Sequence, residues 1–219
     1  MELPAAGFEE PIPDLLNTLH RSTTQFGAAH PQTIAVANRL AVALWTAGDT
    51  VQAISLLEQA LAAISSCAEH PFRTDLLCTL GEIMVEQARW EQAALIYREV
   101  LETCVRRCGL NHASSLAAKG DLAAVLFELG QGGEAAELER EACESAGKHL
   151  GKAHPVTCVL AWNRALRLER NGDGTAARAI VIDDLLWLLT EEDAHLQADH
   201  RAVKVLLAQR YGWETAPAC

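Results

Sequence analysis

Apolar residues at Ala53, Leu56, Leu57, Ala60, Leu61 and Ile64 fall three and four positions apart, the spacing of one face of an α-helix. Gly48-Asp49-Thr50 precedes this run as a turn, and a second apolar-periodic run lies upstream from Pro31. The same alternation of helical run and short turn continues along the chain. It predicts helices near 31–47, 50–66, 72–88, 91–107, 113–129, 133–149, 155–170 and 175–190.

The runs are copies of one unit. Ala41, Gly81, Ala123 and Ala165 are spaced by 40, 42 and 42 residues. Seven positions beyond each stands a helix-stopping site, filled by Gly48, Ala88, Gly130 and Gly172, and five further on is an alanine: Ala53, Ala93, Ala135 and Ala177. Upstream, His30-Pro31, His70-Pro71, His112-Ala113 and His154-Pro155 keep the same register. Four independent features in one register mark an internal repeat of two helices per unit. Proline at the start of a helix loses no hydrogen bond, and glycine at its end can take the left-handed backbone that stops it. Small residues at Ala41 and Ala53 would let the two helices of a unit approach closely.

The pattern resembles the tetratricopeptide repeat, in the roughly 42-residue form of kinesin light chains and many bacterial signalling proteins. Those units share a Leu-Gly-x-x-His-Pro-x-Thr linker, which residues 150–157 match as Leu-Gly-Lys-Ala-His-Pro-Val-Thr. Phe26-Gly27-Ala28-Ala29-His30-Pro31-Gln32-Thr33 is close to it. The third linker, at Gly109 to Ser115, has lost the proline, and the second, at Ser66 to Pro71, lacks the glycine.

The resemblance implies an all-α fold, a right-handed α-solenoid of antiparallel helix pairs. Four hairpins would span about 30–69, 70–111, 112–153 and 154–190. Residues 1–29 would supply an N-terminal segment and capping helix, with Ile12, Leu15, Leu16, Leu19 and Phe26 on one face. Residues 191–219 would hold a C-terminal capping helix, with Val203, Leu206 and Leu207 as its apolar stripe, and a mobile tail from Thr215 to Cys219. A terminal unit must present a polar face or find another surface, so the C-terminal stripe would either cap the array or pair with a twin in a homodimer.

The resemblance also implies a concave groove, lined by the first helix of each unit, that binds a protein or peptide segment. Carried onto this chain, the lining is Asn38, Val42 and Trp45 from the first unit and Asp75, Glu82 and Glu86 from the second. Gly120, Ala124, Phe127 and Glu128 come from the third, and Trp162, Leu166, Glu169 and Arg170 from the fourth. Kinesin-light-chain-like units favour an asparagine near Asn38 that hydrogen-bonds a bound peptide backbone. The lining reads as apolar anchors among carboxylates, so a partner with basic residues beside an apolar one would complement it.

Charge narrows the partners. The chain has 219 residues and a formal net charge of −11, which disfavours nucleic acid because phosphate binding needs a basic face. No apolar run approaches the roughly 20 residues of a membrane span and no signal peptide is visible, so a cytoplasmic location is expected. Seven scattered cysteines fit reduced thiols, and an excess of arginine over lysine fits a GC-rich bacterial source.

Chemistry has few candidates. Cys104, Cys108 and His112 share helical spacing, but the helix should end near Gly109 and no fourth metal ligand is evident. Asp193, His195, Asp199 and His200 form a polar cluster that a degenerate linker explains. Trp90 and Trp187 read as packing residues. Phosphate-loop, zinc-protease, nucleophile-elbow and dinucleotide-binding motifs do not occur. The expectation is a non-catalytic scaffold or adaptor without cofactor or metal, acting on a partner enzyme or regulator. Its alternatives are a peptide-sensing switch and, in another class, an enzyme or enzyme accessory with an unusual site in the groove.

Overall fold

The computed structural model describes residues 10–67 and 69–212, all helix and turn with no strand among them. The tail from Thr215 to Cys219 lies outside the described residues. The helices are α1 (Ile12–Phe26), α2 (Pro31–Thr46), α3 (Thr50–Ala63), α4 (Arg73–Glu86), α5 (Trp90–Cys108), α6 (Ala113–Glu128), α7 (Gly132–His149), α8 (Pro155–Arg170), α9 (Gly174–Ile180), α10 (Trp187–Thr190) and α11 (Ala198–Tyr211). Contacts divide the chain into two units, Glu2–Cys104 and Val105–Cys219, the division falling inside α5.

In the first unit α1 packs on α2, α2 on α3, and α3 on α4. In the second, α6 packs on α7, α7 on α8, α8 on α9, and α11 on α8. The small residues at the repeat period are all buried: Ala41, Gly81, Ala123 and Ala165 on first helices, Ala53, Ala93, Ala135 and Ala177 on second helices. At Gly81 the reason is explicit. A Cβ there would lie 3.0 Å from Cζ of Tyr97 on α5, tighter than a packed core tolerates without movement.

The repeated histidine is a helix cap. Nδ1 of His30, His112 and His154 accepts from the backbone N–H two residues on, at Gln32, Ser114 and Val156, 3.2–3.3 Å away. Each such bond satisfies a donor that the first helical turn leaves free. His70 makes the same bond to Phe72 N at 3.3 Å, but α4 begins only at Arg73, so the proline at 71 does not open that helix. The missing linker glycine accounts for this, since Gly27, Gly109 and Gly151 all take a left-handed φ near 88° before the other three histidines.

Each hairpin turn closes in one way. The residue after the stop position donates to the carbonyl five back: Asp49 to Leu44, Arg89 to Met84, Gln131 to Leu126 and Asp173 to Leu168, at 2.8–2.9 Å. Such closure requires a left-handed stop residue. Gly48, Gly130 and Gly172 supply it without cost, whereas Ala88 adopts φ +55° with a Cβ in place.

Three expectations change. The helix anticipated over 175–190 is interrupted by a π-helical stretch, Val181–Leu185, whose wider turn leaves the Asp184 carbonyl to accept from the Trp187 indole at 3.0 Å. On α1, Leu15 is buried but Leu16 and Phe26 are exposed, Phe26 stacking on the His30 ring at 4.7 Å. The apolar stripe of α11 is covered within the chain: Val203 and Leu207 join one core with Trp162, Leu185 and Leu188.

Ala88→Gly should stabilise the protein by about 1 kcal/mol, measured by chemical denaturation, because the left-handed backbone then carries no Cβ penalty. His154→Ala should cost about 1 kcal/mol, and His154→Asn should recover most of it, since asparagine can accept at the same cap.

Candidate binding face on the first helices

In the first unit α2 and α4 lie side by side. Asn38 is half-buried, and its Oδ1 is shut from solvent with no hydrogen-bond partner. Val42 one turn on is exposed, and Trp45 is half-buried with its indole N–H donating to the Glu86 carboxylate. On α4, Asp75 and Glu82 are exposed and have no salt-bridge partner among the described residues. Partial desolvation of the Glu82 carboxyl raises its pKa above the ordinary carboxylate range. This face therefore holds two uncompensated acids, an orphaned amide oxygen and one aromatic.

The second unit is built differently. The Glu128 carboxylate pairs with Arg170, whose guanidinium also lies 4.8 Å from the Phe127 ring centroid. One repeat further, Glu169 accepts from Arg210 Nε at 2.7 Å and from the Tyr211 hydroxyl at 3.0 Å. Hydrogen bonds from Arg170 and Arg210 hold Glu128 and Glu169 below the usual carboxylate range. Behind them Glu139 of α7 accepts from Arg167 Nε at 2.9 Å, with both side chains largely buried. Phe127, Glu128, Glu139, Arg167, Arg170 and Arg210 edge a cavity of about 290 Å³ between α6 and α8, floored by Gly120, Ala124, Leu160 and Leu166.

Two sequence expectations are corrected here. Trp162 is not a groove anchor: it is 5% exposed and belongs to the core that α8 shares with α11. The acids at Glu128 and Glu169 are not free to attract a basic partner, because each already holds an arginine. The missed signal lay in the repeat period itself. Arg170 follows Glu128 by 42 residues and Arg210 follows Glu169 by 41, so opposite charges recur at the spacing that brings successive first helices together.

Several of the remaining candidates are engaged in caps, ion pairs or packing. Cys104 is buried, Cys108 is exposed, and His112 Nδ1 caps α6. Asp193 pairs with Lys204, His195 with Glu191, and His200 accepts from Gln197 N while packing edge-on to Trp187 at 5.6 Å. No group of three or more His, Cys, Asp or Glu side chains able to hold a metal occurs among the described residues. No helix among the described residues is long and apolar enough to cross a membrane.

A carboxylate with a lowered folded pKa contributes stability that is complete above its unfolded pKa and is lost as pH falls through the folded one. Glu169→Gln should therefore be less stable than the parent at neutral pH by a modest amount, the Arg210 side being well exposed. The difference should shrink as denaturation curves are taken below the free glutamate pKa of about 4.3.

Comparisons with known proteins place this geometry. Two tetratricopeptide-repeat family models match, at residues 32–104 and 115–156, together more than half of the chain. No curated protein sequence matches significantly. Among solved structures, a kinesin light chain from Podosopora anserina with nearly identical TPR-like repeats superposes with a TM-score of 0.66 at 22% identity. That match covers 90% of this chain and 86% of the other. A variant of the same protein gives a TM-score of 0.68 at 22% identity, covering 90% and 87%. BtubC (BKLC) from P. vanneervenii gives 0.71 at 16% identity, covering 95% and 86%. At these identities the structures show the fold, an α-solenoid of antiparallel helix pairs. Repeats of this family serve in general as protein-interaction scaffolds. The chain belongs to the tetratricopeptide repeat family.

Proposed function

We propose that the protein is a non-catalytic adaptor that captures an extended segment of a partner protein on the α2–α4 face. The observation that carries this reading is the pair of unpartnered carboxylates at Asp75 and Glu82, on the same face as Trp45 and the orphaned Asn38 oxygen. Partial desolvation raises the Glu82 pKa and no cation pairs with it among the described residues, which supports a role in binding a basic group. A segment with a lysine or arginine next to an apolar residue would neutralise the acids and cover Val42 and Trp45.

The partner's basic group would set on-rate and specificity, and its apolar residue would supply most of the affinity. Attraction to the acids makes capture weaken with salt. Asp75→Lys with Glu82→Lys should reduce binding of lysine- and tryptophan-containing peptides from a display library by at least about tenfold and remove the salt dependence. Peptides retained equally by the charge-reversed protein would sink the reading.

A further inference from the structure

The cavity in the second unit has a chemistry that this reading leaves unused. Its floor is apolar, from Ala124, Leu160 and Leu166, and its rim carries Arg167, Arg170 and Arg210 together with Glu128 and Glu139. In both rim pairs the arginine stands outside its acid. Arg170 is 57% exposed against 30% for Glu128, and Arg210 is 48% exposed against 21% for Glu169. The arginine is thus the more solvent-accessible member of each pair.

The donors are not used up. A guanidinium carries five N–H groups. Arg210 spends Nε and Nη2 on Glu169 and lies beside Tyr211, which leaves Nη1 outside the Glu169 pair. Arg170 spends Nη1 and Nη2 on Glu128, leaving Nε. One arginine serving two carboxylates already occurs in this chain, where Arg140 binds both Glu137 and Glu144. On the same wall the Asn163 side-chain amide is half-buried and bonds to nothing among the described residues.

We infer that this cavity binds a small monocarboxylate with an aromatic or branched apolar body, a ligand site separate from the α2–α4 face. The body fills the space above Leu160 and Leu166, and the carboxylate takes the spare N–H donors of Arg170 and Arg210. Asn163 supplies a further polar contact. The volume of about 290 Å³ sits at the small end of ligand pockets and suits a body of roughly ten non-hydrogen atoms.

The test uses the full chain, with 3-phenylpropionate as probe, its neutral amide and acetate as controls, and acetyl-Glu-Phe-amide as the peptide-borne version of the same chemistry. Calorimetry should show saturable binding of 3-phenylpropionate, at least about tenfold weaker binding of the amide, and none of acetate. Arg170→Met and Arg210→Met should each weaken it about tenfold or more. Ala124→Trp, which fills the cavity and leaves both ion pairs in place, should abolish binding while the helical circular dichroism is kept. Backbone amide shifts should change on α6, α8 and α11.

Absence of saturable binding at millimolar 3-phenylpropionate would overturn the inference, as would equal affinity for the amide or retention by the Ala124→Trp protein. Binding of the peptide without binding of the free acid would also overturn it. None of these outcomes depends on Asp75 or Glu82, so the adaptor reading stands or falls separately.

Discussion

Close approach of paired helices is the condition on which each unit rests. Small residues at the repeat period are buried on both members of a hairpin, and at Gly81 the gap is already filled by the Tyr97 ring. A seam this tight fixes which face of each helix turns inward. The large residues that fill the interior, such as Ile34, Leu57, Leu116 and Leu188, then have one place to go. The turns and caps follow from the same geometry, because two helices that touch along their length need a short connection. In each hairpin that connection has the same five-residue closing bond.

Features written once per repeat were legible in the sequence because a local rule is enough to read them. The glycine stops, the histidine caps and the small-residue seam each depend on a few neighbouring residues, and repetition removes the ambiguity of any one copy. The second linker departed from expectation where a single glycine was missing, which delays α4 to Arg73. The π-helical stretch at Val181–Leu185 left no comparable mark, since an extra residue in one turn alters no composition or period that can be counted.

Side-chain roles on the first helices were harder to read, and Trp162 shows why. Asn38, Cys78, Gly120 and Trp162 occupy equivalent positions in the four units; Asn38 and Cys78 are half-buried, whereas the large Trp162 side chain lies in the core. Its burial comes from α11 stacking on α8, a contact made by a helix that looked unpaired in the chain. The acids of the second unit were misread for a related reason. A carboxylate on a helix face looks free until the next helix brings its arginine. The two units consequently differ in electrostatic character, with open acids on α2–α4 and matched pairs on α6, α8 and α11.

Those matched pairs bear on how such an array can change its length. Copying one unit is the natural way to extend a repeat protein, and neighbouring copies must then fit one another. A duplicate of the unit that carries Glu128 would stand that glutamate next to its own copy, where Arg170 now sits, and set two like charges together. The same holds for Glu169 and Arg210. The repeats share a backbone but are no longer interchangeable, and their order along the chain is written in charge.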